Sequence, residues 1–422
     1  MTLSKSAICN ATIALIAFVL SGAFPVFNAG DSSSSSSGTG GNLAAEILLL
    51  LLYGAVFAVL AFRRHEVWDL LRLHPELGGL LCLTIVSALW ADSPGVVFRR
   101  SVAVLGTTAF GILLALDLSF EQQLRLVRNV LRAGAVLSIA CALIAPDYAV
   151  SSDVSGSYWR GVYIHKNVLG GMMALALLVE MSIPAQASKF KNLKRFINGW
   201  VLLELFLLVR AHSATALFSF LLAFGIVIAC RFSPLPVKAT YPLILALTAL
   251  TLVVLFASIL PLIGKSADLT GRLPLWRGVI EMISRRPLLG YGYSGFWGNA
   301  ATVSHLITDD TFEAYYSHNG YLEVTLSLGG VGLALVLAFM VRGIAASLAF
   351  FEAGQETFRF GPLALLTWMV IHNLAECSIL WQNSLIWAVA VATVYTLSRA
   401  RMPVETTSFC PEDLAAPSSM QA

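Results

Sequence analysis

The sequence predicts an all-α, polytopic integral membrane protein of about twelve transmembrane helices, with one large polar loop between spans 9 and 10. Three observations carry that expectation. Hydrophobic residues make up 57% of the 422 and charged residues only 12%, about half the charged share of a soluble domain. Apolar runs near the roughly 20 residues that cross a bilayer recur along the chain. A single long polar stretch, about 264–318, interrupts them late in the sequence.

The spans are placed at 7–27, 43–62, 76–92, 97–117, 124–145, 165–184, 197–211, 213–231, 239–263, 318–342, 361–378 and 381–399. The first follows Lys5 and exceeds the 7–15 residues of a signal-peptide core, so it reads as an uncleaved span. Arg210 and His212 interrupt one apolar stretch, which implies a tight turn between two helices. The serine-rich segment 31–41 reads as a flexible outer connection, and the tail from about Met402 as disordered cytoplasm. Three regions follow: N-terminal helices over 1–94, a main membrane unit over 95–400, and the tail over 401–422.

Lys and Arg concentrate in cytoplasmic loops. With the N-terminus inside, the cytoplasmic connections receive most of the 27 basic residues, among them Arg63, Arg64, Arg72, Arg125, Lys189, Lys191, Arg342 and Arg399. The 264–318 loop then faces outward. A formal charge of +3 is too small to suggest a nucleic-acid partner. The six cysteines form no CxxC pair and stand near no second ligand type, so neither a disulfide framework nor a zinc site is expected, and no cofactor is implied.

Three constellations could carry chemistry. In the first, Trp159, Arg160, Tyr163, His165, Lys166 and Asn167 precede Gly170-Gly171 at the mouth of a span. Trp, Tyr, Arg and Lys suit a headgroup anchor. Arg160 also offers a planar fork to phosphate oxygens, and the paired glycines allow close helix approach. In the second, Gly271-Arg272, Trp276-Arg277 and Arg285-Arg286 lead into Pro287-Leu-Leu-Gly-Tyr-Gly-Tyr293 and Phe296-Trp297. Here cations stand beside aromatic faces of the kind that pack on sugars, or the stretch is an ordinary solvated loop. In the third, His318-Asn319 opens a helix containing Glu323 and the glycines 329, 330 and 332. Histidine takes up a proton near neutral pH, and Asn319 or Glu323 could orient it; helix-end packing is the plainer reading. Smaller candidates are Arg99-Arg100, the Arg210-Ala-His212-Ser213-Ala-Thr215 stretch, and His372, Asn373 and Glu376.

Taken together, these segments resemble the O-antigen ligase and Wzy-type polysaccharide polymerase superfamily. The pattern His-(Asn/Ser/Gln)-x9-Gly-x-x-Gly reads here as His318-Asn319, nine residues, then Gly329 to Gly332. The run from Gly271 to Gly292 looks like the family's large periplasmic loop, and residues 160–170 are similar to the ExoQ-type exopolysaccharide polymerase branch.

The resemblance implies a GT-C-like, metal-independent, inverting glycosyltransferase of the bacterial inner membrane, with its active site on the periplasmic face. Its donor would be a glycan on undecaprenyl diphosphate and its acceptor a glycan or lipid. Membrane lipids, a flippase and a chain-length regulator would be its partners. It also implies His318 as the group that activates the acceptor hydroxyl, with Arg272, Arg160 and Arg210 near the donor diphosphate. His165, Lys166, Asn167, Asn319, Glu323, Trp276 and Glu376 are the supporting positions.

One departure stands out. Ligases of the family show Ser-Arg-Gly at the start of a later span, whereas this chain has Ser213-Ala214-Thr215, with Arg210 one turn away. That favours chain polymerisation over ligation to a lipid or protein acceptor. A twelve-span transporter or flippase is the rival of another class. Against it, the charges crowd one surface and the two halves share no visible similarity. A purely structural assembly partner is the third reading.

Overall fold

A computed structural model describes residues 5–23, 43–153, 156–183, 198–248, 272–297, 315–353 and 360–400. The serine-rich segment, the later part of the ninth expected span, Gly271, the lysines of 189–194 and the tail lie outside them.

The described residues are overwhelmingly helical. The helices are α1 (Lys5–Leu20), α2 (Leu43–Phe62), α3 (Arg64–Leu73), α4 (Pro75–Val86), α5 (Pro94–Asp117), α6 (Phe120–Ile144) and a single turn α7 (Pro146–Ala149). A two-stranded hairpin follows, β1 (Val150–Asp153) with β2 (Gly156–Trp159). Then come α8 (Lys166–Ser182), α9 (Gly199–Arg210), α10 (Ala214–Phe232) and α11 (Val237–Thr248). The chain ends in α12 (Arg272–Arg285), α13 (Gly320–Ala353), α14 (Phe360–His372) and α15 (Leu385–Arg399).

Four of these, α5, α6, α10 and α13, are individually long and apolar enough to cross a membrane. The α2–α3 pair passes the same test only as one unit, and it bends by 94° between Phe62 and Arg64. α3 is amphipathic, burying Leu70 while its charges face outward. Several remaining helices are shorter than a bilayer requires, so length and apolarity alone give four or five crossings among the described residues, where the sequence suggests twelve.

The core is one continuous apolar cluster threading most of the helices. α8 is buried along nearly all its length, and α5 packs against α15, where Gly111 lets the α15 backbone at Ala388 approach closely. The opposite end of the bundle is pinned by an ion cluster. His74 meets Glu76 at 2.8 Å and Ser398 at 2.8 Å, and Arg342 donates to Glu76 at 2.7 Å and to the Leu73 carbonyl at 2.6 Å.

The polar loop is more structured than its composition suggests. Its described part forms α12 and a turn over 287–297, with a small core of its own: Leu275, Val279, Met282, Tyr291, Phe296 and Trp297, packed on Leu326 of α13. α13 is broken at Gly329, whose φ of 66° leaves the helical region. The break frees backbone groups that the turn at once pairs. Gly330 donates to Pro287 at 2.8 Å, Tyr291 to Leu326 at 3.0 Å and Gly292 to Ser327 at 2.9 Å. Non-helical backbone at membrane depth survives only where protein satisfies it, and here the Pro287–Gly292 turn does so. A Cβ on Gly329 would sit 2.1 Å from the Leu288 carbonyl group, so the position tolerates only glycine.

Candidate functional site

Three helices begin at one place. α8 is capped by His165, whose Nδ1 accepts from the Asn167 amide at 3.2 Å. α10 is capped by Ser213, accepting from Ala216 at 3.4 Å. Before α13, Asn319 accepts from the Tyr321 and Leu322 amides at 3.0 and 3.1 Å. Glycines let these ends crowd together: a Cβ on Gly170 would lie 2.8 Å from Ser213 Cβ, and one on Gly320 would lie 2.3 Å from Asn373 Oδ1. Each helix start carries partial positive charge, so the meeting point favours anions.

The anion already there is Glu376. The sequence carries a span to 378, but α14 stops at His372, so Glu376 stands in the connection to α15. Asn373 builds that connection, accepting from the Ser378 and Ile379 amides at 2.7 and 3.0 Å. Glu376 Oε1 accepts from Arg272 Nη2 at 2.9 Å and from Asn167 Nδ2 at 2.6 Å. Its Oε2 faces His318 Nδ1 at 3.7 Å, an ion-pair separation longer than a hydrogen bond. The Gly320 amide, first in α13, donates to the Glu376 carbonyl at 3.0 Å. Burial pushes the Glu376 carboxyl up, but His318, His372 and Arg272 together hold it below the usual carboxylate range.

Arg272 is anchored on its other side by Thr215, with Nη1 3.2 Å from the hydroxyl. This puts its guanidinium on the first turn of α10, one residue from Ala214. Two of its five N–H donors are used in these bonds. His318 takes a left-handed φ of 51°, a conformation in which histidine is enriched among non-glycine residues. Its ring lies 4.1 Å from that of Tyr316, which in turn meets Trp381 at 5.6 Å.

Other expected residues do different work. Glu323, weighed as an orienting partner for His318, has its carboxylate committed elsewhere: it accepts from Trp297 Nε1 at 3.0 and 3.1 Å and from the Ser317 amide at 2.8 Å. Glu376 stands beside His318 in its place. Trp276 donates to the Ser317 carbonyl at 2.8 Å, bracing the residue before His318. Asn319 ties α13 to the α14–α15 connection through Leu374 at 3.1 Å. Tyr291, Tyr293, Phe296 and Trp297, read as sugar-facing surfaces, are buried packing groups instead. Tyr291, Phe296 and Trp297 pack with Leu275, Val279 and Met282 in the loop's own core, and Tyr293 joins the main core of the bundle.

Arg160 and Arg210 share no hydrogen bond or ion pair with this cluster. Arg160 lies over Tyr148 at 4.4 Å, Arg210 over Trp159 at 5.2 Å and Lys166 over Tyr158 at 4.2 Å. Thr215, Tyr316 and Trp381 lay outside the expected site. Only Thr215 left a trace in sequence, beside the departure at Ala214. Among the described residues no group of three His, Cys, Asp or Glu is placed to hold a metal ion.

Comparison with known proteins gives one family match. Residues 199–337 fit the family described as O-Antigen ligase, and that interval includes both Arg272 and His318. No curated protein matches the chain. The match covers about a third of the sequence and supports an O-antigen ligase or polymerase type of role in membrane glycan assembly. Over residues 199–337, this helical chain is thus similar to the O-Antigen ligase family.

Proposed function

We propose that the protein is a membrane glycosyltransferase that extends or transfers a glycan carried on undecaprenyl diphosphate, acting at the periplasmic face of the bacterial inner membrane. The observation that carries this reading is the Glu376 carboxylate, which holds a cation 2.9 Å away and faces an imidazole 3.7 Å away, where three helix N-termini meet.

In the reaction, an acceptor hydroxyl oxygen attacks the anomeric carbon as the bond from that carbon to the diphosphate oxygen breaks. His318 takes the hydroxyl proton through its free ring nitrogen, and Glu376 stabilises the imidazolium that results. The electron pair leaves on the diphosphate, whose growing charge meets Arg272 and the helix starts. Preorganised charge of this kind supplies the larger share of rate enhancement, and the base adds about 10²–10⁴-fold. Diphosphate is a good leaving group without further activation, so these residues suffice for a metal-independent, inverting displacement.

Positive charge at the opposite end of the bundle, including Arg63, Arg72, Arg125, Arg342 and Arg399, favours the cytoplasm for that end. Between polymerisation and ligation, the missing arginine at Ala214 favours polymerisation of the ExoQ type, with a flippase delivering the donor and a chain-length regulator acting on the product. The test is His318→Ala in the full-length protein. Polymer should be lost while expression and insertion stay at wild-type levels; wild-type polymer from that variant would remove the imidazole from the reaction.

A further inference from the structure

A second ionisable cluster lies away from the transfer centre, between α6, α8 and α9. Arg132 on α6 donates from Nε to Glu180 Oε1 on α8 at 2.6 Å, and its guanidinium lies over the Trp200 ring at 4.6 Å. Glu180 and Asn167 are separated by roughly 20 Å of helix along α8. Beside the Arg132–Glu180 pair is Glu204 of α9, which is 0% exposed. Neither of its carboxylate oxygens has a hydrogen-bond partner among the described residues. Arg128, one turn before Arg132, buries an Nε that is likewise unpartnered among them.

The pattern of α9 turns Glu204 inward. Leu202, Leu205, Phe206 and Val209 are exposed apolar side chains, as a lipid-facing surface requires, whereas Val201, Glu204, Leu207 and Leu208 are buried. Positions 201, 204 and 208 share one face at helical spacing, so a carboxyl group occupies the packed side of the helix. Three charged groups face it: Arg128 and Arg132 from α6 and Glu180 from α8. β2 and α10 also pack on α9, but β2 has no charged residue and α10 only Arg231, in its last turn. On α9 itself the other charge is Arg210, which stacks on Trp159.

A carboxylate sealed from water without a partner is among the costliest groups to bury, and it escapes that cost by taking a proton. Ionisable groups inside a membrane protein commonly mark proton sites. A metal cation is the poorer solution beside two guanidinium groups. Arg132 is committed to Glu180 and Trp200, which leaves Arg128 to answer the charge when the proton departs.

We propose that Glu204 is a buried proton-binding site: its carboxyl holds a proton in the arrangement described, and loss of that proton draws the Arg128 guanidinium onto the carboxylate, tying α6 to α9. The site does not depend on the glycan-transfer reading. It is one helix from the transfer centre, because α9 runs through the turn at 211–213 into α10, whose Thr215 holds Arg272.

Infrared spectra of the full-length protein in lipid discs test this, since a protonated carboxyl and a carboxylate absorb at separate frequencies. At neutral pH, wild type should show a protonated-carboxyl band that is absent from Glu204→Gln, a variant that imitates the neutral acid in shape. In Glu204→Asp the band should persist at a changed frequency, which decides the matter even if the glutamine variant does not fold. Raising the pH should erase the band, and Arg128→Gln should delay that loss by about one pH unit or more, because the cation that steadies the carboxylate is gone. Wild-type spectra from both Glu204 variants, or loss of the band at the wild-type pH in Arg128→Gln, would overturn the proposal. So would disappearance of the band when sodium chloride replaces choline chloride at fixed pH, which would give the site to a metal cation.

Discussion

Glu376 stands out in the sequence as the lone charge in the short turn between the last two helices, a local signal that does not say what it meets. Its role comes from long-range bonds, to Asn167 and Arg272, which lie 209 and 104 residues away. Replacement by glutamine keeps the size and one acceptor but removes the charge that faces His318. Glu376→Gln should therefore lower kcat by about 10²-fold or more, within the range for a disabled general base, with a smaller effect on KM. It should also cost roughly 1–3 kcal/mol, since Arg272 loses the charge of its partner.

The pH dependence of that cost has a definite sign. The Glu376 carboxyl lies below its ordinary value in the folded protein. Its stabilisation is therefore complete above the ordinary carboxylate pKa of about 4.3 and fades as pH falls through the depressed folded value. Acid unfolding of wild type and Glu376→Gln should converge at low pH, and a constant difference between the two curves would contradict the assignment.

The glycine pattern after His318 was visible in the sequence as a spacing, and its physical meaning emerges only at the level of elements. Gly329 breaks α13 so that the Pro287–Gly292 turn can dock on the freed backbone, and the turn in turn supports α12 and Arg272. Gly329→Ala brings a Cβ within 2.1 Å of backbone atoms at a left-handed φ, whereas a Cβ on Gly330 meets only the Pro287 carbonyl, at an ordinary 3.5 Å. Gly329→Ala should lower the melting temperature by several degrees and reduce activity with it, while Gly330→Ala should change both little. Equal effects at the two positions would mean that the break is not what fixes the turn.

Several helix limits were also legible, because caps and apolar lengths are local signals. The turn between α9 and α10 falls where Arg210 and His212 interrupt the apolar stretch, with His212 at a φ of 50°. The hairpin, the order within the polar loop and the early end of α14 were not. The hairpin and the early end of α14 turn on short-range pairings that apolar patterning does not register, Val150 with Trp159 and Asn373 with Ser378, whereas the order of the polar loop needs α13 to receive it.

For the whole molecule, the site and the basic clusters lie at opposite ends of the bundle. α15 starts beside the α14–α15 connection that bears Glu376 and ends at Arg399, beyond Ser398, which meets His74 and so joins the cluster of Glu76 and Arg342. Accessibility of single cysteines therefore tests the orientation at both ends. A cysteine introduced at Leu288, which is 70% exposed on the 287–297 turn, should react with a membrane-impermeant maleimide in intact cells, and one at Arg72 should react only after permeabilisation. The reverse pattern would put the centre on the side where its lipid-linked donor is not presented. The same geometry bears on polymerisation against ligation. A transfer centre that returns the product to the lipid carrier lengthens it there, so a strain lacking this chain should accumulate single repeat units on undecaprenyl diphosphate. A centre that hands the glycan to another acceptor leaves full-length chains on the carrier when it is lost. Chromatography of lipid-linked glycans should show single units, because Ala214 lacks the guanidinium of the ligase pattern and Arg272 already occupies the adjacent turn through Thr215; long carrier-bound chains would assign the protein to ligation instead.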